Sequence, residues 1–203
     1  MKTYVVKIDP KNPDKAGIEA AALAVKEGKL VAFPTETVYG IAANFFDKQA
    51  IERLYKIKKR PVKKPFTVHI ADIKAIESLG CRMTKEALIL AGKFWPGPLT
   101  MVLPLGKDKS LGFRIPANSI ALELIKKAGV PIVAPSANLS GHKSPINAQE
   151  VLDELDGKID ILIDGGQTNV GVESTVVDMT VDPPKILREG AIKPEEILRI
   201  WAR

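Results

Sequence analysis

Helical and strand spacings of apolar residues alternate along this chain. After Asp14, a capping residue, Ile18, Ala21, Ala22 and Val25 share one helical face, and Gly28 sits where a helix C′ glycine belongs. Asp47 opens a second helix with Ile51, Leu54 and Tyr55 on its apolar side; Pro61 forces it to stop. Further helices are predicted over Asp72–Leu79 with Gly80 as stop, over Thr84–Phe94, from a Ser119 cap through Ile120, Leu124, Ile125 and Ala128 to Gly129, and over Ala148–Leu155 behind an Asn147 cap. A last helix starts at Pro194 with Ile197, Leu198 and Trp201 inward. Short apolar or alternating runs between them predict strands at Tyr4–Ile8 (an edge), Leu30–Phe33, Phe66–Ala71, Leu99–Leu103, Leu111–Ile115, Ile132–Ala134, Ile159–Ile163, Ser174–Met179 and Lys185–Arg188, the last two paired.

These elements mix without strict βαβ alternation. The expected fold is therefore α/β with a mixed, twisted sheet rather than a wholly parallel one. Residues 1–203 are read as a single domain, since no repeat, low-complexity run or linker divides them. With 45% hydrophobic and 27% charged residues, a packed core is expected. The one cysteine, Cys81, excludes an intrachain disulfide and reads as a small apolar residue in a reducing interior. No apolar run approaches the ~20 residues of a membrane span. The start MKTYVVKIDPKNPDK is too broken by charge for a secretory signal. A cytoplasmic location without membrane contact is expected.

Charge changes this picture at one place. In KIKKRPVKK, Lys56 to Lys64, six of nine residues are basic, and no acid lies between Glu52 and Asp72. The formal net charge of the chain is +6, so this segment alone could account for it. Cations at a helix C-terminus are favoured by its dipole, which is one explanation. An anion site is the other.

Several chemistries lack their parts. There is no GxxxxGK[ST] or GxGxxG loop and no GxSxG elbow. His69 and His142 have no neighbouring ligands, so no metal-binding residue is assigned. What stands out is polar residues at strand ends: PTET after one strand, His69 and Arg114 near the ends of two more, Ser136 and Asn138 after a fourth, Ser174 and Thr175 after Gly171, and Arg188. Ligand crevices of open α/β sheets lie beyond strand carboxyl ends. Lys and Arg match phosphate oxygens, and Arg also grips a carboxylate through its fork. No protein nucleophile stands out. These groups suit a site that positions and stabilises two anionic substrates, as in adenylate formation or phosphate handling, or a simple polyanion groove.

PTETVYG (Pro34 to Gly40), KKRPVKKP (Lys58 to Pro65), WPGPLT (Trp95 to Thr100) and APSANLSG (Ala134 to Gly141) together resemble the YrdC-type threonylcarbamoyl-adenylate synthases. FRIP (Phe113 to Pro116), GVEST (Gly171 to Thr175) and LREG (Leu187 to Gly190) agree in order and spacing, so the resemblance covers about residues 14 to 202. It implies a YrdC-like twisted mixed sheet with helices around a deep basic cavity. It also implies synthesis of L-threonylcarbamoyladenylate from L-threonine, bicarbonate and ATP with release of pyrophosphate, for modification of tRNA beside the anticodon by a separate transfer machinery.

By the same resemblance, the family's KxR…SxN signature falls on Lys58, Arg60, Ser136 and Asn138. Lys58 and Arg60 would be catalytic. ATP would meet these four, with Lys64 and Ser144 near its phosphates and Arg188 on the nucleotide side. Threonine would be held by Thr35 or Thr37, His69, Arg114, the Ala134 backbone and Ser174. Mg2+ would be bound through the ATP phosphates. Many family members carry a second C-terminal domain, whereas this chain resembles the single-domain form. Two alternatives stand beside the synthase: a non-catalytic module binding tRNA or duplex RNA, and a carbamoyl-adenylate enzyme like the YrdC-like part of hydrogenase-maturation carbamoyltransferases.

Overall fold

The computed structural model describes residues 2–201. Ten strands form one twisted sheet, in the order β1, β8, β2, β3, β7, β4, β6, β5, β9, β10. In chain order these are β1 (Tyr4–Lys7), β2 (Val31–Phe33), β3 (Gly40–Asn44), β4 (Val68–His69), β5 (Leu99–Leu105), β6 (Lys109–Arg114), β7 (Ile132–Val133), β8 (Ile161–Asp164), β9 (Thr175–Asp178) and β10 (Lys185–Arg188). Pairs β1/β8, β2/β8, β4/β6 and β5/β9 are parallel, and the other five are antiparallel. The sheet is mixed, as the lack of βαβ alternation predicts. β1 is an edge strand, and β9 and β10 pair as expected.

The helices are α1 (Lys15–Lys26), α2 (Lys48–Lys58), α3 (Lys74–Ser78), α4 (Lys85–Phe94), α5 (Ser119–Ala128), α6 (Ala148–Leu155) and α7 (Pro194–Trp201). Strand pleating divides the core. Val31 and Phe33 of β2 join α1 and α5, whereas Ala32 turns to the side of α2 and α6. A third cluster packs α3, α4 and α7 on β5, β6 and β9. Asp14, Asp47 and Asn147 cap their helices as read from the sequence, and Thr84, expected as the first residue of its helix, is the cap of α4. Among the described residues no helix is long and apolar enough to cross a membrane.

Several boundaries differ from the expectation. Strand β3 was not predicted: GIAAN has no apolar/polar alternation, because the strand is central and buried on both faces. The expected Phe66–Ala71 strand pairs only over Val68–His69, although Thr67 O and Ile70 N extend its hydrogen bonding to Ala134 and Arg114. Asn118, not Ser119, caps α5, its Oδ1 accepting from Ala121 N. Asp72 lies one residue before the α3 cap position. Leu198, expected inward, is exposed, and Ile197 is the buried anchor of α7.

Candidate functional site

A cavity of about 390 Å³ opens where the strand ends converge, within the usual size range of ligand pockets. β4 and β6 run parallel with His69 beside Arg114, and β7 pairs with β4 and feeds Ala134, Ser136 and Asn138 into the wall. Thr35 follows β2, Ser174 precedes β9, and Arg188 ends β10. Of the thirteen residues that the resemblance assigns to substrates, all but Thr37 line this cavity; Thr175, also read at a strand end, is buried away from the lining, its hydroxyl donating to Ile192 O at 2.6 Å. Thr37 lies behind the wall, its hydroxyl accepting from Arg114 Nη2 at 2.8 Å.

The basic block divides sharply. Helix α2 ends at Lys58, and Lys59 takes a left-handed turn (φ 50°) that swings the chain toward Pro61. Lys58 is 2% exposed. Its ammonium donates to the carbonyl oxygens of Ser136 and Asn138, each at 2.6 Å, and to Asn138 Oδ1 at 3.2 Å. An ammonium has three protons, so its donor capacity is filled by the SAN loop. Burial, reinforced by the nearby Arg60 charge, pulls its pKa down to about 8. Ser136 Oγ also donates to Asn138 Oδ1, and Asn138 Nδ2 donates to His142 O. The KxR and SxN segments are thus one hydrogen-bonded unit.

Arg60 is half-buried and ties down its own loop, donating from Nε to Lys64 O at 2.9 Å and from Nη2 to Pro65 O at 3.1 Å. Its guanidinium lies over the Phe66 ring, which stacks on Tyr55. Lys56, Lys59 and Lys63 are exposed and lie outside the cavity lining, whereas Lys64 is exposed at its rim.

Arg114 is buried, and its side chain is held on two sides. Nε donates to Gly97 O at 3.2 Å, and Nη2 donates to Glu36 Oε1 at 2.7 Å and to Thr37 Oγ1. Nη1 has no partner among the described residues. Beside it, His69 is held neutral: burial first, then the Arg114 charge, lowers its pKa to about 3. His69 Nδ1 is sealed from solvent without a hydrogen-bond partner among the described residues, so it is not a nitrogen that a bound molecule can reach. Arg114 therefore offers a bound molecule one cationic donor, beside a neutral imidazole that lines the cavity.

Opposite, Glu173 Oε1 accepts from Ser144 Oγ at 2.7 Å, and Oε2 accepts from Arg188 Nη1. Arg188 also donates from Nε and Nη2 to Ser174 O, and from Nη2 to Ser174 Oγ. The main chain here packs against Gly190, where an added Cβ would lie 2.3 Å from Glu173 O and 2.6 Å from Thr175 N. Gly190 of LREG thus exists to let the GVEST segment approach. Glu36 and Glu173 went unassigned in the sequence, although both sit inside recognised motifs. Their signal was weak, since a lone acid in a loop does not reveal an arginine partner far away in sequence.

Strands β6 and β10 bring Arg114 and Arg188, and the end of α2 with the loop after it brings Lys58, Arg60 and Lys64. Five cationic side chains and one carboxylate thus line one cavity of a mixed α/β sheet, a charge balance suited to an anion. The family model Sua5/YciO/YrdC, described as Telomere recombination, matches residues 23–190. A Pyrococcus abyssi protein named threonylcarbamoyl-AMP synthase is 47% identical over 192 residues, covering 90% of this chain and 56% of that protein. A Bacillus subtilis protein of the same name is 42% identical over 210 residues, covering 97% and 61%. The crystal structure of P. abyssi Sua5 complexed with L-threonine superposes with a TM-score of 0.92 at 45% identity, over 98% of this chain and 61% of that one. The chain belongs to the Sua5/YciO/YrdC family. It spans 56% and 61% of the length of these two relatives.

Proposed function

We propose that this chain is an L-threonylcarbamoyladenylate synthase acting on L-threonine, bicarbonate and ATP. The observation that carries this reading is the pairing of two anion-binding ends in one cavity. Arg114, whose Nη1 has no partner among the described residues, lies with His69, Thr35, Ala134 and Ser174 in the lining and suits the carboxylate end of a small amino acid. Arg60, Lys64, Ser144 and Arg188 suit a polyphosphate. The two relatives' name and the threonine held by the P. abyssi structure agree with this assignment.

In this reading the threonine amine bonds to the carbon derived from bicarbonate, losing a proton and releasing water, to give a carbamate. A carbamate oxygen then attacks the α-phosphorus of ATP, and the bond to the β-phosphate bridging oxygen breaks as pyrophosphate leaves. Arg60, Lys64 and Arg188 stabilise the phosphate charge, while Lys58 holds the Ser136–Asn138 loop in shape. The cavity has one lining carboxylate, Glu173, already bonded to Ser144 and Arg188. Mg2+ accompanying ATP would accordingly be held through the phosphates. Exposed Lys56, Lys59 and Lys63 beside the cavity suit contact with a tRNA backbone, testable by the salt dependence of tRNA binding.

The deciding experiment is pyrophosphate release with threonine, bicarbonate and ATP omitted in turn. Strict dependence on all three is expected. Release without threonine, or none with the full set, would sink the assignment.

A further inference from the structure

The acid in the cavity calls for an explanation, because a carboxylate repels the phosphates that the cations around it attract. Glu173 is not peripheral to those cations. It bonds Arg188 directly, and its charge is felt at Lys58, Arg60 and Arg114. Its two oxygens hold Ser144 Oγ and Arg188 Nη1, one on each side. A hydroxyl and a guanidinium converging on two oxygens of one anion is the donor pattern that a phosphate group uses.

The backbone fixes the carboxylate there. Glu173 O accepts from Ala191 N at 2.9 Å, and the 173–175 main chain rests on Gly190. The preceding strap is pinned to the PTET loop by Val170 N to Glu36 O and Gly171 N to Thr37 O, at 2.9 and 3.0 Å. The side chain itself is 31% exposed, so it can leave its partners without breaking the fold.

We propose that Glu173 is a resident substitute for phosphate: it occupies Arg188 and Ser144 until a polyphosphate displaces it, and recaptures them as pyrophosphate departs. This inference rests on the synthase reading and adds to it a residue that weakens product binding. A cavity with five cations and no such acid would retain pyrophosphate, which carries more charge per atom than any other participant. With Glu173 in place, the bonds lost when pyrophosphate leaves are replaced within the protein.

The test is calorimetric titration of metal-free inorganic pyrophosphate, with EDTA present, into wild type and Glu173→Gln. Glutamine keeps the shape and removes the charge. The expected result is binding about tenfold or more tighter in the variant, and stronger pyrophosphate inhibition of turnover. Equal or weaker binding in the variant, with measurable binding in wild type, overturns the proposal alone. Failure of both proteins to bind pyrophosphate or ATP overturns the synthase reading with it. A second measurement needs no variant. On saturating wild-type protein with pyrophosphate, the ¹⁵N side-chain resonances of Arg188 are expected to shift as Nη1 changes partner, and unmoved resonances overturn the proposal.

Discussion

Lys58 Nζ lies 2.6 Å from the carbonyl oxygens of both Ser136 and Asn138. The end of α2 and the loop after β7 are joined by one buried ammonium, and Ser140 N closes the same junction by donating to Lys58 O at 2.9 Å. In the synthase reading, the lysine of the KxR motif would act on the phosphates chiefly by shaping the SAN loop that its protons hold.

Removing that ammonium takes the side-chain donor from the carbonyl oxygens of Ser136 and Asn138 and leaves Asn138 Oδ1 with Ser136 Oγ alone. Lys58→Met is expected to cost about 3 kcal/mol of stability, the scale for breaking a buried, hydrogen-bonded charge. Lys58→Arg is not expected to rescue it, because no nitrogen of a planar guanidinium can direct three protons to three separate oxygens. Denaturant unfolding checks the first statement. Turnover checks the consequence: Lys58→Ala and Arg60→Ala are each expected to lose ~10²-fold or more in pyrophosphate release. Wild-type rates in both would contradict the site.

His69 gives the fold an acid-sensitive element. Its pKa in the folded protein, about 3, lies below the ordinary value of 6.5. Between these values the unfolded chain binds a proton that the folded chain refuses, so this group makes stability fall as pH falls from 6.5 toward 3. The full slope is about 1.4 kcal/mol per pH unit. His69→Asn removes the titration. The stability difference between wild type and variant is expected to shrink, or change sign in the variant's favour, as pH is lowered from 6.5 to 4. Parallel pH profiles from denaturant melts would show that the imidazole is not buried as described.

Arg114 should separate the two ends of the cavity. It meets Gly97 O, Glu36 and Thr37 through Nε and Nη2, and Nη1 has no partner among the described residues. Lysine has no fork with which to hold that frame and still offer a directed donor. Arg114→Lys is expected to weaken threonine binding by about tenfold or more, the loss of one charge-assisted hydrogen bond, and to leave ATP binding within about threefold. Separate calorimetric titrations of the two ligands measure this. An equal loss for both ligands would place Arg114 on the wrong end.

How far the sequence reached follows from what each signal depends on. Caps and helix faces are local, and Asp14, Asp47 and Asn147 were legible because a cap acts within three residues of itself. Part of the cavity wall was legible because His69, Arg114, Ser136, Asn138, Ser174 and Arg188 sit at strand ends, where topology does the gathering, whereas Lys64 and Ser144 came from the family resemblance. Partnerships were not legible. Arg114 reads as free for a substrate carboxylate, yet Glu36, 78 positions away, already takes one of its nitrogens. Lys58 reads as an ATP contact by resemblance, yet its protons point into a loop 80 positions on. Strand β3 escaped because burial on both faces removes the alternation by which a strand is read.

Two glycines test whether the LREG motif is structural. At Gly190 a Cβ would fall 2.3 Å from Glu173 O, 2.5 Å from Ser174 C and 2.6 Å from Thr175 N, all main-chain atoms that no rotamer change can move. Gly190→Ala must push the GVEST segment off its seat, displacing Glu173 and Ser174 from Arg188. A cost of about 2 kcal/mol or more is expected, with loss of pyrophosphate release beyond what lower stability explains. Gly92 is the counterpart. It lies exposed within α4, with nothing within 4 Å of an added Cβ. Its only effect is on helix propensity, so Gly92→Ala is expected to raise stability by about 0.5–1 kcal/mol and leave activity unchanged. Thermal melts of the two variants should move in opposite directions, and only Gly190→Ala should lose pyrophosphate release. If Gly190→Ala behaves like Gly92→Ala, the glycine is not what seats the loop, and the conformation of Glu173 must be set by its side-chain partners alone.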